Sequence, residues 1–166
     1  MASYQFRPAE TADLPLLMRW LAAPHVAAWW GDSASDLAEI QEAVGDPRVD
    51  TFIVLCDSRP IGYQQSYDPH DWDGHPFADQ PRGTRGIDQF IGEADMLGRG
   101  HGSAFVRAFV ERLFAAGAPR VVTDPDPANA RAVRAYKKAG FRPLERRMTP
   151  WGEALLMVCD PGQATA

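Results

Sequence analysis

The sequence predicts a mixed α/β fold in which a single layer of sheet is covered by helices. Three observations support this class: short β-prone runs, amphipathic segments that end at glycine, and the alternation of the two along the chain. The predicted order is strand, two helices, three strands, helix, strand, helix and two strands. No internal repeat or low-complexity tract interrupts it. Residues 1–166 are therefore expected to form one domain, with the last few residues disordered.

Composition narrows the class of protein. The 166 residues are 45% apolar and 23% charged, close to the averages for globular domains, so disorder and coiled coil are excluded as the main state. No apolar run approaches the ~20 residues needed to span a bilayer, and the N-terminus lacks the apolar stretch of a secretory signal. Two cysteines are too few for a disulfide scaffold, so a reduced, cytoplasmic setting is expected.

The charge is unevenly distributed. The net charge of −5 argues against nucleic acid as a partner. Residues 98–147 hold eleven Lys and Arg against four acids, whereas residues 64–96 hold seven acids against two Arg. One segment could attract an anionic cofactor and the other a cationic substrate. Two ordinary solvated surfaces are the alternative interpretation.

The N-terminal half is predicted to contain a strand, helices and a hairpin. Thr11 or Asp13 can cap the first helix, and Ser33 with Asp36 resembles a capping box for the second. The predicted segments are strand 4–7, helix 11–21, a short helical turn at 25–30, helix 34–44, and strands 51–56 and 61–67 across a turn at 57–60.

The C-terminal half begins with a long loop at residues 68–84, rich in Pro and Gly. A loop of this length is usually functional or mobile. The clearest helix follows Gly100 or Gly102, with Phe105, Phe109 and Leu113 on one face. The predicted segments are strand 85–91, a helix to 116, strand 120–123, a helix from 129 to 139, and strands 141–147 and 153–159 across a turn at 149–152.

Three glycines on alternate positions lie between a predicted strand and the clearest helix. Gly98, Gly100 and Gly102 allow the backbone to approach a ligand closely, and the helix that follows presents free N–H groups and the positive end of its dipole. This arrangement predicts a phosphate cradle. A flexible hinge is the alternative. The spacing fits neither the dinucleotide fingerprint nor a Walker loop.

This loop, with a second motif downstream, resembles the GNAT superfamily of N-acetyltransferases, which use acetyl-coenzyme A. Gly100 and Gly102 match the family's pyrophosphate loop, although Leu97 replaces its polar first residue. The later motif, an Asn that opens a helix carrying a Tyr and ending in Gly-Phe, matches at Asn129, Tyr136 and Gly140-Phe141. The resemblance implies a single-domain GNAT fold with a mixed, mostly antiparallel sheet and no metal. The residues expected to bind the cofactor are Gln89, Phe90, Ile91, Arg99, Gly100, His101, Gly102, Ser103, Asn129 and Arg134.

A closer match is to the bacterial aminoglycoside 6'-N-acetyltransferases, which confer antibiotic resistance. It covers roughly residues 20–158 and rests on the segments 20–31, 61–67, 73–74, 85–89 and 123–129. It implies acetyl transfer to a primary amine, in a ternary complex without an acyl-enzyme. In those enzymes the positions matching Asp73, Asp88, Asp124 and Tyr136 act in substrate binding or chemistry.

The chemistry of amine acetylation suggests a role for each of these residues. An ammonium group must lose a proton before it attacks, and a carboxylate can accept that proton. Asp73 is the expected base, with Asp88 and Asp124 as substrate anchors, but these roles could exchange. Tyr136 is expected to protonate the departing sulfur, and backbone N–H groups at residues 89–91 to stabilise the oxyanion.

Each candidate also has an ordinary structural interpretation. Tyr136 could be a packed helix residue, Asp124 a turn cap, and Asp73-Gly74 a turn dipeptide. Trp30 is a candidate substrate contact, although core packing explains it equally well. Cys56 and Cys159 are expected in the core. The His and Asp residues between 70 and 75 match no common metal site.

One segment departs from the aminoglycoside pattern. After Asp73-Gly74 those enzymes are densely acidic, but residues 75–82 contain only Asp79, which Arg82 opposes. Another amine, such as a hydroxylysine-type siderophore precursor or a polyamine, is therefore an alternative substrate. A non-catalytic acyl-coenzyme A-binding sensor is an alternative of another class. A monomer and a homodimer are both compatible with the sequence.

Overall fold

The computed structural model describes residues 1–163 and confirms the α/β class. The strands are β1 Tyr4–Pro8, β2 Val49–Cys56, β3 Arg59–Tyr67, β4 Arg85–Ile91, β5 Val121–Thr123, β6 Arg142–Thr149 and β7 Gly152–Cys159. The helices are α1 Leu14–Leu21, α2 Pro24–Trp30, α3 Ser33–Gly45, α4 His101–Ala115 and α5 Ala130–Lys138, with 3-10 turns at Thr11–Asp13, Pro69–Asp71 and Ala94–Met96. No helix within residues 1–163 is long and apolar enough to cross a membrane. The disorder expected at the C-terminus concerns residues 164–166, which lie outside the described residues.

The seven strands are hydrogen-bonded in the order β1-β2-β3-β4-β5-β7-β6. β1 with β2, β5 with β7, and β6 with β7 pair antiparallel. β4 and β5 pair parallel, with Arg85 opposite Val121 and Gly86 opposite Val122. The mostly antiparallel sheet implied by the resemblance is therefore confirmed.

The chain divides into two compact units. The first comprises Met1–Ser66 and Gln89–His101, and its core packs α1, α2 and α3 side chains around Ile53, Tyr63 and Phe90. Gly92 is required there, because a Cβ at this position would lie 2.1 Å from the Trp20 ring.

The second unit comprises Tyr67–Asp88 and the chain from Gly102 onward. Its core cluster contains Phe77, Val122, Leu156 and Val158. Arg120 ties this unit together by donating to Asp160 at 2.7 Å and to Gln80 of the 68–84 loop at 3.2 Å. The loop is therefore anchored at Phe77 and Gln80.

Several local predictions were wrong in detail. The helix expected at 34–44 is capped by Asp32, which accepts from the Ser35 N–H at 3.0 Å, and not by Ser33. The turn expected at 57–60 uses two residues, Asp57 and Ser58, whose positive φ values of 47° and 71° suit a tight hairpin. Residues 24–30 form a helix instead of a short turn, because Pro24 is acceptable in a first helical turn.

Candidate active site

The parallel pairing of β4 and β5 brings two predicted site residues together. The register places Gly86 opposite Val122, and two residues further along each chain come Asp88 and Asp124. Thr123 donates from Oγ1 to the carbonyl of Ile87 at 3.3 Å, so the two chains still run side by side at the intervening step. Adjacent strands are ~4.8 Å apart, and residues at matched positions point to the same face. Both carboxylates are half-buried on that face.

The Tyr67 ring lies on the same face. A Cβ at Gly86 would lie 2.4 Å from Cζ of Tyr67 and 2.7 Å from its hydroxyl, so only glycine leaves room for the ring. Because Gly86 and Asp88 are two residues apart on one strand, their side-chain positions share a face. Tyr67 is 8% exposed. The buried phenol is thus held beside the carboxylate pair.

The electrostatics of this group favour a bound cation. Burial, and next the charge of Asp88, raise the pKa of the Asp124 carboxyl to about 8. Burial, and then the charges of Asp88 and Asp124, raise the pKa of Tyr67 well above its usual value. Two carboxylates this close resist being charged together. An ammonium group between them would remove that repulsion.

Aromatic rings surround the carboxylate pair. Tyr67 contacts Trp72 edge-on with 5.7 Å between ring centroids and His75 at 5.5 Å. His75 in turn contacts Trp151 at 5.9 Å. Burial, and then His70, lower the pKa of His75, which favours the neutral ring. Aromatic faces beside carboxylates suit an ammonium ligand, because both attract a cation.

Asp73, the predicted base, lies in the loop that passes this cluster. Its side chain is exposed, and Gly74 follows it with a φ of +70°. The residues on either side, Trp72 and His75, are those whose rings contact Tyr67. The chain therefore runs close to the carboxylate pair at this point, and the role of Asp73 as base stays a prediction.

Trp30, the predicted substrate contact, lies in the first unit. Its half-buried ring contacts Phe90 edge-on at 5.0 Å and Tyr63 at 6.5 Å. These are contacts with the core cluster of that unit. Its role in binding substrate stays a prediction.

The glycine-rich segment has a backbone suited to an anion. Gly98 and Gly100 have positive φ values of 71° and 83°, and a Cβ on either would meet nothing within 4 Å. α4 begins at His101, so Gly102 and Ser103 lie in its first turn. The Tyr4 hydroxyl bonds Nδ1 of His101 at 2.7 Å and so connects β1 to the start of this helix. The backbone N–H groups of this glycine-rich segment and of the first turn of α4 could hold a pyrophosphate.

The end of β4 carries three further predicted cofactor contacts. Phe90 is buried in the first unit's core, so it would reach a cofactor through its backbone. Gln89 accepts from Nε2 of Gln64 at 2.8 Å, and the Ile91 carbonyl bonds Nε2 of His25 at 2.9 Å. These bonds fix the strand end.

α5 carries the second sequence motif. Asn129 caps the helix by accepting from the Ala132 N–H at 3.2 Å, and Arg134 is exposed. Tyr136 is half-buried, and its ring contacts Phe141 edge-on at 5.7 Å. The expected cap is confirmed, while the proposed proton donation by Tyr136 stays a prediction.

Comparison with known proteins decides the family. The family described as acetyltransferase (GNAT) domain matches residues 9–148. The chain belongs to this family.

The names of individual similar proteins are more specific than the name of the family. The aminoglycoside N(6')-acetyltransferase type 1 of Klebsiella pneumoniae is 39% identical over 155 residues, covering 88% of this chain and 77% of that protein. The kanamycin resistance protein of Rhizobium radiobacter is 48% identical over 77 residues, covering 46% of this chain and 71% of that protein. The crystal structure of aminoglycoside acetyltransferase AAC(6')-Ib with coenzyme A and kanamycin matches with a TM-score of 0.85 and 36% identity, covering 96% of this chain and 95% of that one.

Sequence reasoning missed part of this acetyltransferase's carboxylate cluster. Nothing in the sequence indicated that Gly86 makes room for Tyr67, since the contact depends on how β3 and β4 lie in the sheet. Trp151 was predicted only as a turn residue, yet its Nε1 donates to Oδ2 of Asp124 at 3.1 Å. Both cysteines are free and buried, as expected. Within residues 1–163, no three or more His, Cys, Asp or Glu side chains are grouped to hold a metal ion.

Proposed function

We propose that this chain is an acetyl-coenzyme A-dependent aminoglycoside 6'-N-acetyltransferase. The observation that carries the proposal is the pair of carboxyl groups, Asp88 on β4 and Asp124 just after β5, whose charges both act on the buried Tyr67 in a member of the GNAT family. Two half-buried carboxyl groups are costly to ionise together, and a bound cation offsets that cost. The relatives and the solved structure described above support an aminoglycoside as that cation.

Acetyl transfer proceeds directly, with both substrates bound. The backbone N–H groups of residues 99–103, with Asn129 and Arg134, hold the coenzyme, and the end of β4 presents N–H groups to the oxyanion. Asp88 and Asp124 bind the substrate ammonium. Asp73 or Asp88 accepts its proton, and Tyr136 protonates the departing thiolate. Most of the acceleration comes from holding the two substrates together.

The proposed enzyme is a single domain over residues 1–166 and works in the cytoplasm. Two free, buried cysteines are consistent with a reducing compartment.

A second candidate substrate is a primary amine with fewer charges. Asp79, the one acid in the segment after Asp73-Gly74 that could add attraction for a polycation, is paired with Arg147. The loop therefore offers less negative charge than its sequence suggests. This favours testing simpler amines beside aminoglycosides.

The test measures thiol release from acetyl-coenzyme A with kanamycin, which has a 6'-amine, and with paromomycin, which carries a hydroxyl there. We expect turnover with kanamycin and none at the 6' position of paromomycin. Cells that express the chain should gain resistance to kanamycin, amikacin and tobramycin, but not to gentamicin components that lack a primary 6'-amine.

The test is repeated with Asp88→Asn, which keeps the size of the side chain but removes its charge. The variant should abolish most kanamycin turnover while coenzyme binding is retained, because it removes a charge from the amine site. Thiol release with a simple amine but not with kanamycin would favour the second candidate. Coenzyme binding without thiol release for any amine would favour a sensor and overturn the proposal.

A further inference from the structure

Trp151 is an exposed tryptophan that makes a directed contact with a site residue. It lies in the turn between β6 and β7, and 59% of the residue is exposed. Its Nε1 donates to Oδ2 of Asp124 at 3.1 Å. A large apolar ring left in solvent contributes little burial, so packing alone does not explain why the turn carries it.

The turn that carries Trp151 is held in place on both sides. Thr149 donates from Oγ1 to the Gly152 carbonyl at 2.6 Å and closes the turn. The Leu155 N–H donates to the Pro125 carbonyl at 2.9 Å, which ties β7 to the residue that follows Asp124. The indole and the carboxylate therefore come from two segments whose backbones are joined, and their contact is supported by the fold.

We propose that Trp151 is a positioning residue, which fixes the Asp124 carboxylate so that it receives the substrate ammonium. This inference rests on the proposed function. The indole N–H occupies Oδ2, so rotation of the carboxylate is restricted and the ammonium would meet the other oxygen. A hydrogen bond to an ionised acceptor is roughly twice as strong as a neutral one. Trp151 thus acts through Asp124 and needs no contact with the reacting atoms.

The groups around Asp124 determine how the variant should respond to pH. The charge of Asp88 on β4 acts on Asp124, the charges of both act on Tyr67, and His75 contacts the Trp151 ring. The indole hydrogen bond favours the charged carboxylate, whereas burial and Asp88 disfavour it. Losing the N–H should therefore move the acidic limb of the activity profile to higher pH.

The test is Trp151→Phe, which keeps an aromatic ring but removes the N–H. We expect the KM for kanamycin to rise about tenfold, with the KM for acetyl-coenzyme A unchanged, as expected for one hydrogen bond to a charged group. Calorimetric titration with kanamycin should show the same loss of affinity without turnover. Met148→Leu, an exposed residue of the same hairpin, is the control and should behave as wild type.

A double mutant separates positioning from a general structural effect. In the Asp124→Ala background, Trp151→Phe should add little further loss, since the oxygen that accepts from the indole N–H is already gone. Full additivity of the two losses, or a silent Trp151→Phe in an active enzyme, would overturn this inference alone. A wild-type protein that acetylates no amine, or an Asp124→Asn variant with normal kanamycin kinetics, would overturn the proposed function and the inference with it.

Discussion

Arg147 of β6 and Asp79 of the 68–84 loop form a two-point ion pair, in which Nη1 and Nη2 of the guanidinium each lie 3.0 Å from a carboxylate oxygen. Arg147 also donates to the Pro76 carbonyl and to Glu145, and its guanidinium lies 5.9 Å from the Phe77 ring centroid. Within residues 75–82 the charge of Arg82 offsets that of Asp79, and in the structure Asp79 also pairs with Arg147, which the sequence did not indicate. One side chain thus ties the loop that carries Asp73 to the last hairpin.

Replacing Arg147 should loosen this loop. For Arg147→Met we expect the KM for kanamycin to rise by about threefold, since a partly exposed ion pair contributes at most ~1 kcal/mol. Chymotrypsin should cleave at Trp72 or Phe77 sooner than in wild type. Arg146→Met is the control, because Arg146 is exposed and lies 3.4 Å from the exposed Glu153. Equal cleavage rates in the two variants would contradict a tethering role.

The carboxylate pair should lower stability as the pH rises. The folded-state pKa of Asp124 is raised, so between its unfolded value near ~4 and about 8 the folded state binds more protons than the unfolded state. Stability contributed by that bound proton is present below the unfolded pKa and is lost as pH rises through the folded pKa.

Asp124→Asn should therefore raise the stability of the folded protein at high pH while weakening its binding of kanamycin. At pH 8 we expect its thermal midpoint to exceed that of wild type by about 3 °C, the shift expected for ~1 kcal/mol at this size, and to match wild type more closely at pH 4. Kanamycin affinity should fall in the same variant. Thermal melts at both pH values, with Glu111→Gln as control, measure the effect. A thermal midpoint below that of wild type at pH 8 would show that the charge of Asp124 does not destabilise the folded protein.

The contact between Tyr4 and His101 should affect the affinity for coenzyme A but not the affinity for the amine substrate. Tyr4→Phe removes the hydroxyl that bonds His101 Nδ1 at 2.7 Å, at the first residue of α4. We expect coenzyme A affinity to fall by about fivefold, in the range of one partly exposed hydrogen bond. Calorimetric titration with coenzyme A measures it, and an unchanged KM for kanamycin is the internal control. Unaltered coenzyme affinity would show that the hydrogen bond between Tyr4 and His101 does not support coenzyme binding.

Tyr136→Phe tests proton donation to the sulfur. The ring contact with Phe141 is kept, so stability should change little, whereas turnover should fall by about a hundredfold if the hydroxyl is the acid. Coenzyme affinity should change much less than turnover. Steady-state kinetics with a coenzyme titration separate the two. Full turnover in the variant would remove Tyr136 from the mechanism and leave it as a packing residue.

The local elements were largely predictable from local chemistry. The β4 segment was predicted with its observed bounds, and α5 begins after the predicted cap at Asn129. Such features depend on residues close in the chain. The cap of α3 was assigned to the wrong residue because Asp32 and Ser33 are both good caps, and only the backbone conformation decides which of them accepts the hydrogen bond.

The sequence alone indicated the family, the element order apart from α2, and the residue types needed for acetyl transfer, because glycine spacing, helix caps and hydrophobic periodicity depend on neighbouring residues. Only the tertiary structure decided that Asp88 lies close enough to influence Asp124 and that Gly86 accommodates the Tyr67 ring. It also decided that Trp151 donates a hydrogen bond to Asp124 and that Asp79 forms an ion pair with Arg147. Each of these contacts depends on the pairing and register of strands, or on where a distant loop is anchored. Residues far apart in the chain then share one face, and no local pattern records such a pairing.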